Sequence, residues 1–252
     1  MEIKQPTSND LSRLKLLFSE AFGDDGTFND TFFECAYSPS RAMTAKEDGA
    51  LVGMLYWFDC EYSGGKLAYI YAVATAKKYR GRGVCKALME FTHAHLSALG
   101  YIGAILKPAE DSLFDFYSRL GYKNATRISE ISAKSATQGC QFLKISANEY
   151  ARLRRDFLPS GGVIQEKESI ALLSKISEFI RGDDFILAYS SDGENLFGYE
   201  LLGKDEKAPE ILHSLGAKNG KFRIVGNQIP FTMWYQFDKN APMPEHFGFV
   251  FD

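Results

Sequence analysis

Within residues 69–88, an apolar run ending at Thr75 gives way to Lys77, Lys78, Arg80, Gly81, Arg82 and Gly83, then to Val84, Cys85, Lys86, Ala87 and Leu88. The order reads as a strand, a basic glycine-rich loop and the first turns of a helix. Gly81 and Gly83 let the backbone approach a ligand with no side chain between. The N–H groups from Arg82 to Lys86 converge at a helix start, whose positive dipole end suits an anion such as a pyrophosphate. Lys77, Lys78, Arg80, Arg82 and Lys86 add charge for direct phosphate contacts. Alone, such a loop is more often a tight solvated turn.

A second segment changes that balance. Residues 111–123 read Asp-Ser-Leu-Phe-Asp-Phe-Tyr-Ser-Arg-Leu-Gly-Tyr-Lys, with Tyr117 ahead of Leu120-Gly121-Tyr122. Together the two segments resemble the GNAT acetyltransferases. Arg80, Gly83 and Cys85 stand at the fixed positions of that family's signature R/Q-x-x-G-x-G/A, with Cys where Gly or Ala is usual. Tyr117, Gly121 and Tyr122 match its Y-x-x-x-G-[FY] segment. The resemblance spans residues 1 to about 130, half of the chain.

The resemblance implies a mixed α/β GNAT fold with acetyl-CoA as cosubstrate. Ala72, Val73, Ala74 and Thr75 would hold the pantetheine arm, and the Val73 N–H would face the thioester oxygen from a strand bulge. Arg80, Gly81, Arg82, Gly83, Val84, Cys85 and Lys86 would surround the pyrophosphate. Glu110 and Phe114 would flank the cofactor, Glu110 standing where the family often has Asn. Tyr117 would donate its phenolic proton to the departing thiolate. Orientation in one cleft then favours direct transfer to a primary amine, without an acyl-enzyme. Cys85, a thiol at a helix start beside basic residues, is the alternative nucleophile; its small-residue position favours a place beneath the pyrophosphate.

An amine with an ordinary pKa of about 10.4 must lose a proton before it attacks. The central strand carries Tyr69 and Tyr71 where many GNAT enzymes place a carboxylate. Asp59, Glu61, Asp24, Asp25 or a water chain are the remaining acceptors for that proton. The acidic pairs also suit a cationic acceptor, either a small amine or a peptide. A module that binds coenzyme A without turnover is the alternative reading.

These residues need a scaffold of alternating elements. Leu11, Leu14, Leu17, Phe18 and Phe22 form a helical stripe over 10–22, with Ser8 or Asn9 as its cap. A second helix passes Phe32, Phe33 and Tyr37. Asp48-Gly49 predicts a hairpin, and Ser63-Gly64-Gly65 turns the chain into the strand ending at Thr75. Residues 84–99 form a helix closed by Gly100, followed by a buried strand over 102–106 and a helix to Gly121. The aromatic load, 20 Phe and 13 Tyr, fits sheet packing or an apolar cleft.

A polar stretch over 132–141 marks a boundary between a GNAT domain, 1–135, and a smaller C-terminal α/β lobe, 140–252. There Ser146-Ala147-Asn148-Glu149 opens a helix, strands follow over 185–190, 196–202, 222–225 and 231–237, and Pro209 opens a helix closed by Gly216. The order of hairpin, helix and strand matches the first half, so the lobe reads as a degenerate repeat. Its linking residues, Gly203-Lys204-Asp205-Glu206-Lys207, lack the phosphate-approach glycines and carry two carboxylates, which argues against a cofactor site. The tandem form resembles the Eis acetyltransferases, in which the C-terminal carboxylate reaches the active site; residues 247–251 with Asp252 would dock similarly.

A net charge of -3 gives no support to nucleic-acid binding. The four cysteines have no metal-ligand spacing, and His93, His95, His213 and His246 read as surface or packing residues. No apolar stretch approaches the ~20 residues of a membrane span, and no secretory signal is evident. A cytoplasmic monomer or homodimer is the expectation.

Overall fold

The computed structural model describes residues 1–23 and 26–251. Asp24, Asp25 and Asp252, named above as candidates, lie outside the described residues. The chain opens with strand β1 (Glu2–Lys4) and helix α1 (Leu11–Phe22), whose Leu14, Leu17 and Phe18 are buried. Gly23, at φ 68°, closes α1 in the left-handed conformation. The caps expected at Ser8 or Asn9 fall inside a short 3-10 turn instead. Asp10 reaches back and accepts the Thr7 N–H and hydroxyl at 2.8 and 2.9 Å, so the capping bonds form one turn earlier.

Helix α2 (Thr27–Cys35) leads to the hairpin of β2 (Ala42–Glu47) and β3 (Ala50–Tyr62). Asp48 and Gly49 both take positive φ, 50° and 81°, as a two-residue hairpin turn of matching twist requires. Strand β4 (Gly65–Thr75) runs antiparallel to β3, and helix α3 (Val84–Ala98) crosses over to β5 (Tyr101–Leu106), parallel to β4. Helix α4 (Ser112–Arg119) and the short β6 (Lys123–Asn124) follow.

The second half carries β7 (Arg127–Lys134), β8 (Leu143–Lys144), α5 (Ala147–Phe157), β9 (Ile164–Gln165) and α6 (Glu168–Ile176). Next come β10 (Glu178–Arg181), β11 (Phe185–Ser191), β12 (Asn195–Gly203), α7 (Ala208–Leu215), β13 (Asn219–Val225), β14 (Ile229–Pro230) and β15 (Met233–Gln236). At α5 the Ser146 hydroxyl accepts the Glu149 N–H at 3.2 Å, the cap its sequence predicts.

Among the described residues the strands form two sheets, ordered β1-β2-β3-β4-β5-β15-β6, with β9 on β3, and β14-β7-β13-β12-β11-β10-β8. The halves exchange strands. β7, which follows the first-half elements, pairs with β13, while β15 lies between β5 and β6. Trp234 on β15 covers Gly103 on β5 so closely that a Cβ there would fall 2.0 Å from the indole. The series β2-β3-β4-β5-β15 and β10-β11-β12-β13-β7 share one pattern of antiparallel, antiparallel, parallel and antiparallel pairs. In each, a helix makes the parallel crossover.

One apolar cluster underlies α3, another α7, and the largest lies between the sheets. That central cluster encloses an ion pair between Arg154 and Glu200, both nearly inaccessible. Burial alone would raise the Glu200 carboxyl, yet Arg154, with His246 at 3.5 Å, holds it down at about 2. Its folded-state pKa lies below the ordinary value, so the unfolded chain takes up the proton first. Stability from this group, about 3 kcal/mol, is complete above about pH 4.5 and is lost as pH falls toward about 2. Denaturant unfolding across that acid range measures it, with Arg154→Met/Glu200→Leu as the reference that lacks the slope. Among the described residues no helix is long and apolar enough to cross a membrane.

Candidate active site

The site begins with a fault in β4. Met54 pairs with Ala74 and Tyr56 with Tyr71, so Leu55 alone stands opposite Ala72 and Val73. This is a bulge, with Ala72 at φ 52°, a strained conformation for a residue bearing a Cβ. On the other side, the β4–β5 ladder ends at Tyr69↔Ile105. Past that point the parallel strands diverge, and residues 72–75 have no strand partner on the β5 side among the described residues. Thr75 Oγ1 is buried there without a hydrogen-bond partner. A backbone edge and an orphaned hydroxyl in a splayed sheet suit an amide-bearing chain laid between the strands.

The loop after β4 sits at the mouth of this split. Gly81 and Gly83 have φ 76° and 81°, and an ideal Cβ on either meets nothing within 4 Å. Gly83 is the N-cap of α3 and no side chain caps the helix, so its first-turn N–H groups have no intrahelical acceptor. Val84 packs back on Gly53 of β3 and seats the helix start against the sheet. Arg80 donates from Nε to the Thr75 carbonyl at 3.1 Å, and the Arg82 guanidinium lies 5.2 Å from the Tyr79 ring centroid. These contacts fix the two arginines on the loop's rim.

Tyr117, on α4, is 8% exposed and packs in the cluster that holds α3, beside Cys85. Burial raises its phenol well above the usual range, with the Cys85 thiol adding to the shift. Such a phenol stays protonated at neutral and mildly alkaline pH. Its ring lies 5.7 Å from that of Tyr122, whose hydroxyl is 2.8 Å from His93 Nε2. Burial pushes the Cys85 thiol up to about 11, the wrong direction for a thiolate nucleophile. Phe114 packs at the edge of the same cluster. Glu110 is exposed, accepts the Ser112 hydroxyl at 2.5 Å and contributes to the start of α4.

The carboxylates read as proton acceptors fall elsewhere. Asp59 shares the β3 face of Trp57, turned toward Tyr101, whose hydroxyl donates to it at 2.5 Å. It stands roughly 13 Å along the strand from the residue opposite the bulge. Glu61, near the strand's far end, faces Arg155 at 3.5 Å. Neither lies on the α1–α2 side of the sheet. That side is aromatic: Phe18, Phe32, Phe58, Tyr69 and Tyr71 stack there, joined by Phe247 and Phe251 from the tail.

Residues 2–125 match the family model described as an acetyltransferase (GNAT) domain. This half of the chain is a GNAT acetyltransferase domain. The protein is therefore an acetyltransferase, and acetyl-CoA is the cosubstrate of its GNAT domain. No curated protein matches the chain at a significant level. Solved structures share the fold across both lobes. A GCN5-related N-acetyltransferase from Kribbella flavida is 20% identical with a TM-score of 0.74, the match covering 94% of this chain and 71% of that one. One from Anabaena variabilis is 15% identical at TM-score 0.73, over 94% and 72%. Eis1 from Mycobacterium abscessus is 15% identical at TM-score 0.70, over 94% and 74%.

The bulge, the glycine loop and Tyr117 come from one stretch of the GNAT domain, and the fold gathers them around the diverging strands. Of the tail expected to dock at the active site, Phe247 and Phe251 join this aromatic face, while Asp252 lies outside the described residues. One signal did exist for their anchor, since Glu200 is the sole charge in the otherwise apolar run 196–202.

Proposed function

We propose that the protein transfers the acetyl group of acetyl-CoA directly to a primary amine of a small molecule or peptide, with Tyr117 as general acid. The observation that carries this reading is the split after Tyr69↔Ile105, with the bulge on one wall and an uncapped, glycine-opened helix start at its mouth. Bound acetyl-CoA supplies an acyl group already activated as a thioester. The backbone of residues 72–75 pairs with the pantetheine amides, and the Val73 N–H faces the carbonyl oxygen as charge develops there. N–H groups from Arg82 to Lys86 hold the pyrophosphate, with Arg80 and Arg82 beside it. Tyr117 returns a proton to the departing sulfur. With no carboxylate on β4, the ammonium proton leaves through water.

The same logic makes the second lobe, residues 140–252, a degenerate repeat without a cofactor site. Its strand β12 also carries a bulge, near Tyr199 and Glu200, but β12 and β13 pair again at Leu201↔Ile224 beyond it. Its crossover helix starts at Lys207 with φ -74° rather than at a left-handed glycine. A closed ladder and an acidic loop leave no room for a pyrophosphate.

Calorimetry with acetyl-CoA tests the reading, with Gly83→Val as the comparison. Valine at a left-handed position costs on the order of 1–2 kcal/mol and puts a branched side chain at the phosphate approach. Affinity is expected to fall at least about tenfold while the protein stays folded. Equal affinity in both proteins, or none in the parent, rejects the site. Binding without thiol release across an amine panel would instead leave a coenzyme A-binding module.

A further inference from the structure

Gly248 sits where no other residue fits: an added Cβ would lie 1.7 Å from Glu200 Oε1 and 2.3 Å from Arg154 Nη2. Around it the second lobe grips the chain just before Phe251. Arg154 of α5 donates to both oxygens of Glu200 on β12, at 2.6 and 2.9 Å, and Tyr150 donates to the same carboxylate at 2.7 Å. The remaining guanidinium donors reach the Val163 carbonyl at 3.2 Å and Gln165 Oε1 at 3.3 Å.

Gln165 then holds Phe249 by both backbone atoms. Its amide donates to the Phe249 carbonyl at 2.8 Å and its oxygen accepts the Phe249 N–H at 3.4 Å. The guanidinium lies 5.1 Å from the Phe249 ring centroid, and the Val163 N–H donates to the His246 carbonyl at 2.9 Å. The three of these bonds that reach the tail all meet its main-chain atoms, at His246 and Phe249, so they set its path whatever its side chains. That path ends on the first lobe. Phe247 meets Tyr69 at 4.9 Å between ring centroids, and Phe251 meets Phe58 at 5.1 Å and Tyr71 at 6.0 Å. Tyr71 directly precedes the bulge.

Rings packed on rings can slide, whereas a satisfied polar network inside an apolar core admits one geometry. An ion pair this deep adds little stability over apolar residues of the same volume. What it supplies is a fixed position. We propose that Arg154, Glu200 and Gln165 are positioning residues for acetyl transfer: they clamp residues 246–249 so that Phe251 forms a wall of the acceptor side of the cleft, against Tyr71. This inference rests on the acetyl-transfer reading of the GNAT domain.

Two variants of the full chain test it. Gln165→Met leaves the ion pair in place and removes both bonds to Phe249. Arg154→Met/Glu200→Leu removes the pair without stranding a charge. Hydrogen exchange at the amides of residues 247–251 reports the clamp, calorimetry reports acetyl-CoA affinity, and thiol release with tyramine and spermidine as probe amines reports the acceptor side. Expected are exchange faster by at least about tenfold, acetyl-CoA affinity within about twofold, and an amine KM raised at least about fivefold. Unchanged exchange overturns the clamp. Faster exchange with an unchanged amine KM, or an equal loss of acetyl-CoA affinity, overturns the positioning role. If the parent protein acetylates neither probe but binds acetyl-CoA, the acetyl-transfer reading is what fails for these amines, and the exchange result still decides the clamp.

Discussion

Tyr117→Phe is expected to lower kcat for acetyl transfer by about a hundredfold or more, with acetyl-CoA affinity held within about twofold. The change removes one oxygen from a side chain buried beside Cys85 and Tyr122, so packing is nearly conserved. The cost falls on the leaving group. A thiolate with an ordinary pKa of about 8.5 can depart unassisted, which is why the loss stays below that of an alkoxide reaction. Because burial raises the phenol, the proposed donor stays protonated, and kcat of the parent enzyme is expected to show no alkaline fall at the usual tyrosine pKa. Steady-state kinetics across pH, together with calorimetry on the variant, check both statements. Loss of acetyl-CoA affinity in step with kcat would mark Tyr117 as a wall and not an acid.

The second large effect concerns folding. A chain ended after Gln138 is expected to lose its cooperative thermal transition and to aggregate. It would lack β15, whose Trp234 fills the space over Gly103 and whose backbone completes the β5 ladder. It would also expose β7, which pairs with β13 in the full chain. An open apolar edge on a central strand is an aggregation site. Calorimetric melting and size-exclusion chromatography of the truncated and full chains decide the matter. A monomeric, cooperatively melting fragment would show that the first lobe closes on its own.

Local signals in the sequence were reliable where chemistry and backbone geometry coincide. Asp48-Gly49, Gly83 and Gly100 each take the left-handed conformation their positions demand, and Leu14, Leu17 and Phe18 of the α1 stripe face the core while Leu11 and Phe22 at its ends stay exposed. The fold brings the glycine loop and the Tyr117 helix to one cluster, as the paired motifs implied. What escaped were long-range pairings. β7 begins before the polar stretch over 132–141 and enters it, and nothing local says that it joins a strand that starts at Asn219. α6 is short, and its buried Ser169, Ile170, Leu172 and Leu173, though helically spaced, span too few turns to stand out as a stripe. Asp59 and Glu61 stand away from the split, which could not be read in advance because strand alternation fixes a side chain's face only once its register is known.

Exchange of strands between the halves also sets a timetable. During synthesis, β5 emerges from the ribosome long before its neighbour at Met233–Gln236, an interval on the order of ten seconds at ordinary elongation rates. Through that interval the nascent first half carries a bare edge that only later-made residues can cover. Such a chain is a natural client for chaperones that hold incomplete sheets apart, and slowing translation downstream of β5 should lower its yield of native protein.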